Sequence, residues 1–308
     1  MSKSTEVLID GLTFTEGPRW REGKLYFSDF FTHRVLAVDT EGHLETIVET
    51  PHQPSGLGWL PDGSMLIVSM NDQKLLCFAD GKLTEAADLS QLANHYCNDM
   101  VVDKKGYAYV GNFGFDLHAR EAIKPTNLIL VRPGEEPCEV AENVFFPNGT
   151  VITPDDKTLI LGETFASCLT AFDINDDGTL TNRRVWADLS TIEEGYSPVP
   201  DGICLDAEGA IWVASPSTND VIRIQEGGIL LDKIKVDMGA FACMLGGEKG
   251  KTLFISTSKD SQEEICLKEK SARIETVEVV VPRAVYLKED LKLCRILQFL
   301  SACHQLKK

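Results

Sequence analysis

Six places in the chain set a small or polar side chain beside a glycine or a short apolar run. They are Glu16-Gly17-Pro18, Pro54-Ser55-Gly56-Leu57, Asn98-Asp99-Met100, Pro147-Asn148-Gly149-Thr150, Pro200-Asp201-Gly202-Ile203 and, more loosely, Ala242-Cys243-Met244. Aligned, they form a column of one position per copy: Glu16, Ser55, Asn98, Asn148, Asp201 and, weakest, Cys243. Glu16, Asn98, Asn148 and Asp201 carry carboxylate or amide oxygens of the kind that bind hard cations, and no histidine stands in the column. Such an all-oxygen set suits Ca²⁺, Mg²⁺ or Mn²⁺ better than a structural zinc, although an oxygen-rich catalytic site also takes Zn²⁺. A lone Asn-Gly or Asp-Gly is an ordinary turn; the repetition is what carries the signal. Carboxylates gathered away from water need a cation or a donor.

Elements that repeat must position residues that repeat. The column positions are separated by 39, 43, 50, 53 and 42 residues. A turn glycine follows eight residues after Ser55, Asn98 and Asp201 (Gly63, Gly106, Gly209) and seven after Glu16 and Cys243 (Gly23, Gly250). After Asn148 the turn is Pro154-Asp155-Asp156-Lys157 instead. Between the turns lie short alternating or apolar runs such as 24–28 and 34–38, with Asp39-Thr40-Glu41-Gly42 as a hairpin turn. Few stretches have helical periodicity. A period of this length, built of about four strands, is that of a propeller blade. The expectation is an all-β fold: a six-bladed β-propeller of four-stranded antiparallel blades around a central metal channel, over residues 1–285. The strand-like stretch 273–281 and residues 6–14 would share the closing blade, because a propeller must join its last blade to its first. If each column residue opens an innermost strand, the four oxygen donors converge on the axis. Two long excursions, 114–125 and 190–198, would then stand over the same mouth as a substrate rim. Residues 286–308 break the pattern, with apolar Leu287, Leu291, Cys294, Leu297 and Leu300 at roughly helical spacing, and are expected as a C-terminal appendage.

Composition narrows the partners. In 308 residues the chain has a formal charge of −17, which argues against a nucleic-acid partner, since phosphates need a basic face. No window holds the ~18 apolar residues of a membrane span, and the opening residues lack the apolar core of a signal peptide. The nine cysteines are scattered, odd in number and without CxxC or CxxH spacing. They read as small core residues in a reducing compartment, which makes the cytoplasm the expected location and a monomer or homodimer the expected state.

In order and spacing, several of these motifs resemble the senescence-marker-protein/gluconolactonase family of six-bladed propellers, from about residue 5 to 285. The residues that carry the resemblance are Thr15-Glu16-Gly17-Pro18-Arg19-Trp20, Asn98-Asp99, Pro147-Asn148-Gly149, the run from Pro200-Asp201-Gly202 to Glu208-Gly209, and Arg273-Ile274-Glu275. The resemblance implies a divalent cation on the axis, calcium first among the candidates, held by Glu16, Asn148 and Asp201. Asn98 stands where the family has an asparagine that approaches metal or substrate. The implied activity is hydrolysis of a lactone, with the cation polarising the carbonyl and Asp201 as general base. His95, in a rim loop, is the alternative base.

One position departs from the family. Sugar-lactone members often carry an arginine two residues before the Asn of the Asn-Asp pair, and here that residue is Tyr96. The change leaves room for a less polar lactone, with Tyr96, Asn98 and Asn112 as expected substrate contacts and Phe113 shaping the pocket. Two alternatives stay open: a phosphotriester or ester hydrolase on the same site, and a non-enzymic metal-binding propeller.

Overall fold

Alternation along the strands of the first sheet feeds two different cores. In the strands Lys24–Asp29 and Arg34–Val38, Leu25, Phe27, Leu36 and Val38 face one way, against Leu12, Phe254 and Ile274. Tyr26 and Val35 face the other way, against Leu57, Ile67 and Leu76. Successive side chains point to opposite faces of a strand, and here both faces are covered by neighbouring sheets. That is why so many runs read as continuously apolar rather than as half-polar strands.

The computed structural model describes residues 4–284, in which the strands form six four-stranded antiparallel sheets, a six-bladed propeller. Five blades are built of four consecutive strands each; the sixth takes three strands from 239–278 and its outermost from Glu6–Leu12. The N-terminal strand thus closes the ring by pairing with Ala272–Glu278, from Glu6 opposite Thr276 to Leu12 opposite Ala272. The expected appendage 286–308 lies outside the described residues.

The innermost strands hold the feature that matters for chemistry. Five of the six pair with their second strand through a register irregularity at the column position: between Glu16 and Arg19, Pro54 and Leu57, Cys97 and Met100, Pro147 and Thr150, and Ala240 and Ala242. A bulge leaves a residue out of the ladder and re-aims its side chain. In blade five the strand Ile203–Leu205 begins just after Asp201 and Gly202. The residue after the column position must be small where neighbouring inner strands meet. A Cβ on Gly149 would lie 2.4 Å from Asp201 O, and one on Gly202 would lie 2.6 Å from Ala242 Cα.

The same contacts correct the sixth position of the column. Gly149 N donates to Asp201 O at 3.1 Å, and Gly202 N donates to Phe241 O at 2.8 Å. Phe241 therefore stands in blade six where Asp201 stands in blade five. Cys243 is two residues further along the strand, buried with its Sγ 3.9 Å from Cys204 Sγ. The bulge at Phe241 shifts the register that the linear alignment assumes. A seven-residue helix, Glu263–Glu269, also interrupts the β pattern and packs Cys266 into the cluster that holds Phe14 and Phe30.

Candidate metal centre and active site

Glu16, Asn98, Asn148 and Asp201 are 8%, 7%, 5% and 8% exposed, so they are sheltered without being sealed from solvent. Their hydrogen bonds orient them. Asn98 Nδ2 donates to Pro147 O at 3.2 Å, across to the next blade. Asn148 Nδ2 donates to Thr164 Oγ1 at 3.3 Å and to Asp201 Oδ1 at 2.5 Å. Thr164 Oγ1 in turn donates to Pro200 O at 2.8 Å, so the asparagine and aspartate share one brace. With both amide nitrogens engaged, the carbonyl oxygens are the ends of these side chains left for a ligand. Asp201 Oδ2 has no hydrogen-bonding partner among the described residues. Glu16 accepts from its own neighbour, Gly17 N, at 3.2 Å.

Electrostatics set these two carboxylates apart. Burial, then the charges of Asp201 and Asp99, holds the Glu16 carboxyl well above its ordinary range, opposed by the hydrogen bond from Gly17 N and then by the charge of Arg19. Burial pushes Asp201 up to about 8, with the hydrogen bond from Asn148 opposing and Asp99 adding to the rise. Asp99 has a cation of its own: Arg19 Nη2 lies 2.9 Å from Asp99 Oδ1, and the guanidinium also donates to Met100 O and Pro18 O. Two buried carboxylates of raised proton affinity, one raised in part by the other's charge, beside two carbonyl-presenting amides, fit a divalent cation bound through oxygen. Among the described residues no three His, Cys, Asp or Glu side chains gather into a metal cluster. The candidate donors are two carboxylates and two amide carbonyls.

Other expected residues fare differently. Asn112 does not join the site. It is fully buried, its Oδ1 accepts from Asn94 N and Thr126 Oγ1, and its Nδ2 donates to Asn127 O and Oδ1. All its capacity is used in tying blade three together, so the expected substrate contact is withdrawn. Tyr96 is half-buried at the column end, its ring 4.3 Å from His95 and 6.0 Å from Phe113. His95 Nδ1 is buried without a partner and Nε2 lies 3.9 Å from Asp116 Oδ2. Of the two excursions, 190–198 is pinned to blade five through Tyr196, whose Oη donates to Asp220 Oδ2 at 2.8 Å and whose ring lies under Lys233 Nζ at 3.5 Å.

An aromatic collar at this mouth is what sequence reasoning missed. Phe14, Tyr96 and Phe146 each stand two residues before a column position and accept, through their carbonyls, from the residue that follows the second strand: Phe30 N, Phe113 N and Thr164 N. Phe14 meets Phe241 edge-on at 4.7 Å, Phe146 stacks on Phe113 at 4.4 Å, and Phe165 meets Phe146 edge-on at 5.1 Å. The signal was available, because the column's own spacing puts a ring two residues before it in three blades.

The family model described as the SMP-30/Gluconolactonase/LRE-like region matches residues 14–259. Regucalcin of Xenopus laevis is 26% identical over 267 residues, 84% of this chain and 87% of that protein. The 6-deoxy-6-sulfogluconolactonase of Pseudomonas putida is 26% identical over 256 residues, 80% of this chain and 84% of that protein. Among solved structures, a luciferin-regenerating enzyme superposes with a TM-score of 0.77 at 17% identity, covering 91% of this chain and 97% of that one. The last likeness speaks for the fold alone.

Proposed function

The chain belongs to the SMP-30/gluconolactonase/LRE-like family, and from that premise we propose that it is a metal-dependent hydrolase that opens a lactone ring at the column of Glu16, Asn98, Asn148 and Asp201. Relatives such as the Pseudomonas putida lactonase support a lactone-hydrolysing enzyme. The observation that carries the metal assignment is the pair of buried carboxylates, both with raised proton affinity, beside two asparagines whose amide nitrogens are tied away. Glu16, Asn148 and Asp201, with Asn98 alongside, would hold the cation, and the neutral amide oxygens favour calcium over a thiolate- or imidazole-seeking ion. A bound divalent cation supplies polarisation of the ester carbonyl and charge stabilisation of the oxygen that develops from it.

The remaining work falls to the chain's own residues. Asp201 takes the proton of the attacking water through Oδ2, because Oδ1 is held by Asn148 Nδ2. Asn148 is thereby both a candidate ligand and the brace that fixes the base. Arg19 keeps Asp99 paired, so that a third carboxylate does not compete at the axis. The aromatic collar narrows the mouth and keeps bulk water from the reacting ester. The scattered cysteines support a reducing compartment, the cytoplasm, as its location. Among the described residues no helix is long and apolar enough to cross a membrane.

The test is to strip the protein with a chelator, restore Ca²⁺, Mg²⁺, Mn²⁺ or Zn²⁺ singly, and follow acid release from a panel of lactones. Turnover should return with a divalent ion and be lost in Asp201→Asn and Asn148→Ala. Folded variants that keep full activity, or a protein inactive on every lactone with every ion, would sink the assignment.

A further inference from the structure

The collar around the column differs from what a polyhydroxylated substrate needs. A hydroxyl moved out of water must find a partner, and a site without one rejects it. Most polar groups around the collar already have partners, His95 Nδ1 being the exception. Asn112, Thr126 and Asn127 bond to one another, Thr164 holds Pro200 O, and Gln53 Nε2 is turned to Met70 Sδ at 3.3 Å. Cations of the same loops are paired locally: Arg34 Nη2 is 3.6 Å from Asp29 Oδ2, and Lys124 Nζ is 3.1 Å from Glu121 Oε2. Between these pairs the mouth presents aromatic rings. Phe31, Tyr96 and Phe241 are half-buried and Phe165 is 37% exposed, and they are backed by the buried rings of Phe14 and Phe146. The sixth spoke of the column is itself a ring, Phe241, in the place that holds an oxygen donor in four other blades.

From this wall, and resting on the lactonase reading above, we infer that the substrate is a lactone bearing an apolar substituent, an alkyl chain or an aryl ring, and not a sugar-acid lactone. The ester group meets the polar centre, and the substituent lies along the collar from Tyr96 to Phe165. Rings accept such a group by stacking and by removing its surface from water. Each added methylene against the wall strengthens binding of substrate and transition state, while a hydroxyl laid against a ring face finds no donor or acceptor there.

The chelated protein, reloaded with each ion in turn, is assayed on γ-lactones of increasing alkyl length, on a benzo-fused δ-lactone and on glucono-δ-lactone. The expected result is kcat/KM that rises with chain length and exceeds that for glucono-δ-lactone by at least about tenfold. Phe165→Ser, at an exposed rim position, should flatten the chain-length dependence. Tyr96→Arg should shrink the apolar-to-sugar ratio by about tenfold, with unchanged circular dichroism. Equal or better turnover of glucono-δ-lactone overturns this inference and leaves the lactonase reading standing. A chain-length dependence that Phe165→Ser leaves unchanged also counts against the collar. Turnover of no lactone with any ion overturns both.

Discussion

Asp201 and Asp206 are buried aspartates five residues apart, at opposite ends of the inner strand of blade five, and they are used in opposite ways. Asp206 accepts from Glu208 N at 2.9 Å, from Ala210 N at 3.1 Å and from Arg223 Nε at 2.6 Å. Asp103 does the same for the hairpin of blade three, accepting from Lys105 N and Tyr107 N at 2.8 Å each. These carboxylates are turn fasteners with their acceptor capacity occupied. Asp201 has one partner, and Glu16 has only its neighbour's amide. Volume does not make the distinction. A cavity of about 460 Å³ opens at the far end, between Trp20, Leu57, Val102, Ile152, Leu205 and Met244, and none of the four column donors lines it. Spare acceptor capacity on buried carboxylates, rather than empty space, distinguishes the end at which we propose the chemistry.

The largest separation between the two ends should appear with Asp201→Asn. Removing the base is expected to lower kcat/KM by about 10²–10⁴ with little change in melting temperature. Asp206→Asn should do the reverse. Its loss leaves Arg223, 12% exposed, without its buried partner and should cost about 3 kcal/mol in urea unfolding, while activity per folded molecule is kept. A comparable loss of activity in both would erase the contrast.

Calcium should stabilise only through the column. At 100 times its dissociation constant it adds about 2.7 kcal/mol to unfolding, and Glu16→Gln should abolish the gain while Asp103→Asn should not. Without metal, the column carries a pH dependence of its own. Asp201 binds its proton up to about pH 8 in the folded chain but only to about 3.8 when unfolded, so the native state holds more protons between those values. Stability of the metal-free protein is therefore highest below pH 4 as far as this group acts, and falls as pH rises toward 8. Added calcium, which displaces that proton, should flatten or reverse the trend in a series of melting temperatures.

Glycines give the smallest test. Gly149→Ala puts a Cβ 2.4 Å from Asp201 O and should cost about 1–3 kcal/mol with a loss of activity, since it displaces the base itself. Gly209→Ala, at φ +78° with open space around it, should cost about 1 kcal/mol and leave kcat/KM alone.

The column was legible because one chemical idea recurs at blade spacing, and repetition survives the ambiguity of any one Asn-Gly pair. Glu16, Asn98, Asn148 and Asp201 were singled out that way, while the shared closing blade was legible from the strand-like stretches 6–14 and 273–281. Cys243 was misplaced because a bulge moves the inner strand's register at Phe241, and a bulge leaves no mark in the sequence. Asn112 looked available because the hydrogen bonds that bury it come from Asn94, Thr126 and Asn127, partners set by the fold. The helix Glu263–Glu269 was invisible because it buries one residue, Cys266, and one residue has no period.

The central claim is that the column binds a divalent cation on which lactone hydrolysis depends. Isothermal titration of chelated protein with Ca²⁺, run beside a lactonase assay on the same samples, tests it most directly. The account predicts one site per chain, lost in Asp201→Asn and Asn148→Ala but kept in Asp206→Asn, with activity rising in step with occupancy. Calcium binding that survives both column substitutions, or full activity in the chelated protein, would contradict it.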